Sequence, residues 1–229
     1  VQRDPRNGCE QTLDLAMQTK SPTTVILDGS RLTIEEVVDI ATGRRRASLG
    51  PSEAFRQRIE AGAQFLDRLL LEDGVVYGVT TGYGDSCTVQ IPPDLISELP
   101  HHLYTYHGIG AGRLFTPEET RAILVARLNS LCQGVSGVSW ELLVQLEQLL
   151  VHDVLPLIPS EGSVGASGDL TPLSYVAAVL CGERDVWHQG MKKSAAEALK
   201  AIGLKPLRLR PKEALALMNG TSVMTGLAC

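Results

Sequence analysis

The chain has 229 residues, of which 44% are hydrophobic and 21% charged, so it can fold around a core and is not a wholly disordered polypeptide. Its formal net charge is -5, and its basic residues are dispersed apart from the arginine triplet at 44–46, which we interpret as a solvated loop. A nucleic-acid partner is therefore not expected.

The cysteines indicate the cellular compartment. All five lie far apart along the chain and form no C-x-x-C pair, which is typical of reduced thiols and predicts a cytoplasmic protein. No signal segment of charged and then apolar residues begins the sequence, and no apolar run approaches the roughly 18 residues that span a bilayer. We therefore expect neither secretion nor membrane insertion.

Periodic apolar residues and helix-end signals predict a mainly α fold. Thr33 opens a helix through a capping box with Glu36, and Thr116 is an N-cap before a proline and an acidic first turn. The helix after Thr116 is predicted to be strongly amphipathic. Helices are expected over about 33–42, 51–72, 116–131, 139–153 and 194–202, with another up to 181 and a last one from 211 to the end.

Short β elements and one long loop interrupt these helices. A strand and turn are predicted at 24–29, and a hairpin with a Gln189-Gly190 turn at 185–193. Residues 74–93 are rich in glycine, threonine and proline and have no helical period. They predict a long loop, a kind of segment that often carries function.

The tripeptide Ala166-Ser167-Gly168 could become an electrophile through backbone chemistry. Gly168 has no Cβ, so its amide nitrogen can approach the Ala166 carbonyl in a tight turn, and cyclisation with loss of two waters would leave a methylidene group. Such a string also arises by chance in roughly one chain in ten of this length. The alternative is a flexible loop and helix cap, with Asp169 or Ser167 as the N-cap, and the two interpretations are compatible.

A glycine-rich segment, Tyr77-Gly-Val-Thr-Thr-Gly-Tyr-Gly84, lies in the long loop. It is either a plain turn or a functional loop. A phosphate cradle, and with it a nucleotide, is not expected, because neither a Gly-Lys-Ser/Thr ending nor a G-x-G-x-x-G pattern is present. What remains is a tyrosine on a permissive loop, and a phenol acts as a base only where positive potential stabilises its anion.

Three histidines, His101, His102 and His107, lie within seven residues. Their spacing lacks an H-E-x-x-H pattern, so no metal is expected. His107 precedes a glycine-rich stretch, where it can face a pocket or merely cap a helix end. Asn219 interrupts an apolar helix, so it must cap that helix or hydrogen-bond to a pocket.

Three segments in this order, at 77–84, 162–174 and 212–221, resemble the aromatic amino acid ammonia-lyase and aminomutase family over about residues 24–229. In that family the Ala-Ser-Gly tripeptide cyclises into 4-methylidene-imidazol-5-one (MIO), an electrophile that binds the substrate amine. The resemblance implies these site residues: Ala166, Ser167 and Gly168 as MIO precursors, Tyr77 as the base for the substrate β-proton, Asn219 near MIO, and Gly84 and Leu170 as scaffold, with Gly84 at the substrate.

The same resemblance bears on the substrate, which is expected to be a small molecule, an aromatic amino acid. Aligning the family's selectivity segment with residues 110–112 puts Tyr106 and His107 against the substrate side chain. Histidine lyases carry histidine at the position of His107, and tyrosine enzymes carry it at the position of Tyr106. Thr80 stands where asparagine is common. We therefore expect ammonia elimination from an aromatic L-amino acid of histidine or tyrosine type, giving an α,β-unsaturated acid, with a 2,3-aminomutase or a catalytically silent fragment as alternatives.

The resemblance also predicts the domain organisation. Residues 1–23 would be a mobile tail, 24–210 the MIO-bearing catalytic domain with its short β elements, and 211–229 the start of a long-helix bundle whose remainder is absent. Family sites are completed by C-terminal residues and by neighbouring subunits of a homotetramer. The isolated 229-residue chain is therefore expected to have little or no activity.

Overall fold

A computed structural model of the protein describes residues 23–72, 74–165 and 168–229. The tail predicted at 1–23 lies outside these residues except for Thr23. Ala166 and Ser167 of the tripeptide also lie outside them, whereas Gly168 is described.

Helices dominate the described part of the chain, which confirms the predicted mainly α class. They are α1 (Ile34–Ala41), α2 (Glu53–Leu71), α3 (Leu99–His107), α4 (Pro117–Leu131), α5 (Trp140–Val151), α6 (Thr171–Leu180), α7 (Ala195–Ala201), α8 (Glu213–Met218) and α9 (Ser222–Ala228). The strands are short: β1 (Thr24–Leu27), β2 (Arg46–Leu49), β3 (Ala111–Leu114), β4 (Leu155–Pro156), β5 (Pro159–Glu161), β6 (Asp185–His188) and β7 (Met191–Ser194).

Local capping signals account for several helix starts. Thr33 caps α1 through a complete capping box with Glu36, as predicted. Thr116 caps α4 in the same way, since its side chain accepts the Glu119 N–H at 3.2 Å and its own N–H donates to the Glu119 carboxylate at 2.7 Å. These bonds satisfy amide groups that the first turn of a helix leaves without partners.

Helix α4 forms the centre of the core. It was predicted to be strongly amphipathic, and this prediction is wrong, because α1, α5 and α9 pack around it and bury residues on most of its faces. Five of its apolar side chains are completely buried: those of Ile123, Leu124, Val125, Leu128 and Leu131. The helices packed around α4, and not the polar pattern of its own sequence, therefore determine which of its residues are buried.

Three small sheets pair the segments that connect the helices. Strands β1 and β2 pair in parallel, so Arg46 begins a strand and is not part of the predicted solvated loop. Strands β4, β6 and β7 form an antiparallel sheet that contains the predicted hairpin, with Gln189 (φ 53°) and Gly190 (φ 71°) in its turn. Strands β3 and β5 pair antiparallel, which ties the segment after α3 to the segment before the tripeptide.

The C-terminal residues depart from the prediction of one continuous helix from 211 onward. The chain forms α8 and α9, and the break between them lies at residues 219–221. Asn219 occupies the C-cap position of α8, with φ -79° and ψ 103°, and its backbone N–H donates to the Leu215 carbonyl. The break turns Asn219 away from the helical path and toward a cleft.

Candidate functional site

Tyr77 and Asn219 line the same cleft, which has a volume of about 550 Å³. The long loop at 74–93, confirmed as largely irregular, contributes Tyr77, and the other lining residues come from α4, residues 135–136, α8 with its flanks and α9. Two basic residues, Arg127 and Lys212, also line it. Asp and Glu are absent from the described residues around this cleft, so its charged groups are positive.

The position of Tyr77 is set by the glycines of its loop. Gly78 is left-handed (φ +67°) and presses on α8, where a Cβ would lie 2.4 Å from Cδ2 of Leu215. Gly84 is also left-handed (φ +58°), and its N–H donates to the phenol oxygen of Tyr77 at 2.8 Å. The loop therefore presents a partly exposed phenol whose oxygen is held by a backbone donor.

The segment around the tripeptide is closed by Asp169. Asp169 is buried, and its carboxylate accepts hydrogen bonds from the Ser163 hydroxyl and from the Val164 N–H, the latter at 3.1 Å. The prediction that Asp169 caps α6 is wrong: Leu170 occupies the N-cap position without a side-chain bond, because the Asp169 carboxylate turns back toward residues 163 and 164. Ser167, the other predicted cap, lies outside the described residues.

Gly168 brings the tripeptide segment to Asn219. It adopts φ +84°, and a Cβ built on it would lie 3.9 Å from Nδ2 of Asn219. Gly165, on the other side of the tripeptide, is also left-handed (φ +64°) and has open space around it. These permissive glycines, the closing bonds of Asp169 and the nearby amide fit a small ring made from residues 166–168.

Tyr106 and His107 form a second group beside the cleft. His107 ends α3, as predicted, and its Nδ1 donates to the Leu103 carbonyl at 2.8 Å, which leaves Nε2 as the acceptor of the neutral ring. The His107 ring lies 5.7 Å from that of Tyr83, and Tyr106 is 73% exposed. Burial raises the pKa of Tyr83, with a smaller contribution from Tyr106. This aromatic group and the cleft share the loop at 77–84.

The other two histidines point to separate partners. His101 Nε2 lies 3.4 Å from Glu183, and His102 Nε2 lies 3.7 Å from Glu98. Across residues 23–72, 74–165 and 168–229, no three His, Cys, Asp or Glu side chains are grouped as a metal site.

Arg127 is a residue of this cleft that the sequence patterns did not single out. It is only 5% exposed, and burial lowers its pKa to about 10. Burial also lowers the pKa of Lys212. A signal for Arg127 exists in the sequence, since it is the one charged residue in the otherwise apolar run from Ala122 to Leu128 of α4.

Comparisons with known proteins identify the family of the chain. The family model for aromatic amino acid lyases matches residues 32–229. The chain belongs to the aromatic amino acid lyase family. It is 42% identical to human histidine ammonia-lyase over 206 residues, which are 89% of this chain and 31% of that protein. It is 43% identical to histidine ammonia-lyase of Chloroflexus aurantiacus, covering 89% of this chain and 39% of the relative.

The structural comparison extends the likeness to an aminomutase. The crystal structure of tyrosine aminomutase from Streptomyces globisporus matches with a TM-score of 0.82 and 38% identity, over 90% of this chain and 38% of that one. The chain therefore spans about a third of the length of the relatives it matches. None of the helices in the described ranges combines the length and apolarity that a membrane crossing requires.

Proposed function

We propose that this chain supplies the tripeptide, the base and part of the pocket of an enzyme that eliminates ammonia from an aromatic L-amino acid. One observation carries the proposal: Tyr77 and Asn219 line one cleft, and the Asn219 amide lies beside Gly168. That arrangement puts a phenol and an amide close to the segment whose residue types can form MIO.

MIO, formed from Ala166, Ser167 and Gly168, would supply an electrophile for the substrate amine, which makes ammonia a better leaving group. Nδ2 of Asn219 lies 3.9 Å from a Cβ built on Gly168, and this amide would hold the group or the substrate amine by hydrogen bonds. Asp169 and Ser163 would keep the segment closed, because their bonds join its two flanks.

Tyr77 would remove the substrate β-proton. A phenolate oxygen gains stabilisation from the N–H of Gly84, which donates to it at 2.8 Å. Lys212 lines the same cleft and adds positive potential, which favours the anion of a base and also a substrate carboxylate. The products would be ammonia and an α,β-unsaturated acid.

The substrate would be of histidine or tyrosine type. The Nε2 atom of His107 is the acceptor of the neutral ring, since Nδ1 already donates to Leu103, and it can receive a hydrogen bond from an imidazole N–H or a phenol. Tyr106 is exposed next to it and would complete the side-chain pocket. Gly84 would form the edge of this pocket, because its N–H binds the phenol of Tyr77 and the preceding residue, Tyr83, lies against His107.

A 2,3-aminomutase is the second candidate, supported by the likeness to tyrosine aminomutase. It would use the same residues and return the amine to the β-carbon.

We further propose a homotetramer, a cytoplasmic location, a catalytic domain at 24–210 and the start of a helical bundle at 211–229. Because this chain spans about a third of its relatives, the isolated 229-residue chain would have little or no activity.

Product analysis of the complete gene product tests the proposed function. L-histidine, L-tyrosine and L-phenylalanine are supplied in turn, and ultraviolet absorbance, ammonia and β-amino acids are measured. An unsaturated acid with stoichiometric ammonia supports the lyase. A β-amino acid as the main product assigns the aminomutase, and turnover of none of these substrates contradicts both.

A further inference from the structure

Arg127 closes the end of α8 from a different helix. Its Nη2 donates to the carbonyl oxygens of Ala216 and Asn219, the second at 2.9 Å. The last turn of a helix leaves such carbonyls without intrahelical donors. A side chain of α4 therefore caps the helix end that carries Asn219.

Gly220 shows how closely Arg127 fits against this break. A Cβ at Gly220 would lie 2.4 Å from Nη1 and 3.3 Å from Cζ of Arg127. Gly220 is not among the glycines with positive φ, so a side chain here would displace the guanidinium of Arg127 without straining the backbone.

Burying the charged guanidinium of Arg127 costs free energy. The side chain is 5% exposed, its Nε atom has no hydrogen-bond partner, and no carboxylate of the described residues forms an ion pair with it. A buried cation that meets only carbonyl oxygens is normally disfavoured. Its two bonds to the α8 end are the contacts that compensate this cost.

We propose that Arg127 is a positioning residue, which holds the carbonyls of Ala216 and Asn219 so that the chain breaks at one place and the Asn219 amide stays beside Gly168. Its effect on turnover rests on the proposed function, whereas its effect on the helix break does not. Arg127 acts through Asn219 and is not assigned a contact with the substrate.

A stability cycle tests the contact without any activity measurement. Gly220→Ala, Arg127→Ala and the double variant are compared with the parent protein by urea denaturation. Gly220→Ala should lower the denaturation midpoint in the parent and change it little once Arg127 is shortened, because the clash is then gone. Equal shifts in both backgrounds would overturn the proposal.

Kinetics of the complete gene product tests the positioning. Arg127→Met should lower kcat by about 10²-fold with little change in KM, as expected for a misplaced active-site group. The loss should not multiply with that of Asn219→Ala, since both act through one amide. Added guanidinium should partly restore Arg127→Ala, because Arg127 lines the open cleft.

Arg121 provides the matched control, since it lies on the same helix and pairs with Asp153 at 2.7 Å, away from the cleft. Arg121→Met should lower stability and keep kcat. If Arg127→Met does not fold, Arg127→Lys, with its single donor group, should give an intermediate kcat. Unchanged kcat in the Arg127 variants, or losses that multiply with Asn219→Ala, would refute the proposal. A parent protein without turnover would refute the proposed function alone, and the stability cycle would still decide the role of Arg127.

Discussion

The phenol oxygen of Tyr77 accepts a hydrogen bond from the backbone N–H of Gly84 at 2.8 Å, although the two residues are seven positions apart. The bond closes the glycine-rich loop on itself and keeps the phenol at the cleft that Asn219 also lines. This relationship joins the proposed base to the loop that contacts the aromatic group of His107.

Tyr77→Phe removes the proposed base and leaves the ring in place. We expect kcat of the complete gene product to fall by about 10²–10⁴-fold, the range typical of a lost acid–base group. The fold should be unchanged, because the side chain is 47% exposed. Steady-state rates are compared with those of Tyr83→Phe in the same loop, and similar losses in both variants would argue against a specific role for Tyr77.

Comparing Gly84→Ala with Gly78→Ala separates the cost of backbone strain from the cost of a side-chain clash. Both glycines are left-handed, but nothing lies within 4 Å of a Cβ at Gly84, whereas Leu215 is 2.4 Å away at Gly78. Gly84→Ala should cost about 1–2 kcal/mol of unfolding free energy from backbone strain alone. Gly78→Ala should cost more, and urea denaturation measures both. A larger cost at Gly84 would contradict the packing described for the loop.

His107→Phe tests the choice of substrate. The phenyl ring keeps the aromatic contact with Tyr83 but removes the Nε2 acceptor. The ratio of kcat/KM for L-histidine or L-tyrosine to that for L-phenylalanine should fall by about tenfold or more, because a polar substrate group loses its partner. His101→Phe, exposed on the same helix, is the control. An unchanged ratio would remove His107 from the substrate pocket.

Glu119 makes the stability of the fold depend on pH. Its hydrogen bonds with Arg113, followed by that of the Thr116 backbone, hold its pKa at about 2, below the ordinary value of 4.5. Since the pKa is lower in the folded state, the stabilisation is complete above pH 4.5 and is lost as the pH falls from 4.5 to 2.

Glu119→Gln should therefore flatten the decrease in unfolding free energy over this pH window. Arg113 is largely exposed, so solvent screening limits the difference to about 1 kcal/mol. Urea denaturation at several acidic pH values measures it, with Glu118→Gln of the same turn as the control. Parallel curves for the parent and Glu119→Gln would show that the ion pair contributes nothing.

Features with local causes could be predicted from the sequence. Thr33 and Thr116 marked helix starts because a capping box involves residues only three positions apart. Gln189 and Gly190 marked a hairpin because a tight turn needs backbone conformations that few residues adopt. The tripeptide and Tyr77 were proposed as site residues from residue type and order, and their roles stay predictions.

Features with distant causes could not be predicted. Strand β2 exists because Arg46–Leu49 pairs with β1, and nothing within those four residues requires a strand. Asp169 stood in a good position for a cap but bonds to Ser163, a contact that depends on how the loop folds back. Arg127 stands out as a lone charge in an apolar run, but its contacts exist only because the end of α8 packs against it. The structural role of each of these residues depends on a partner that comes near only in the folded chain.

The central claim is that Ala166, Ser167 and Gly168 form MIO, and intact-mass measurement of the folded complete gene product tests it most directly. We predict that the protein is lighter than its sequence mass by two water molecules and that the loss maps to the peptide containing residues 166–168. Ser167→Ala lacks the hydroxyl that is eliminated, so this variant should have the full mass of its own sequence. A folded parent protein with the full unmodified mass would contradict the account.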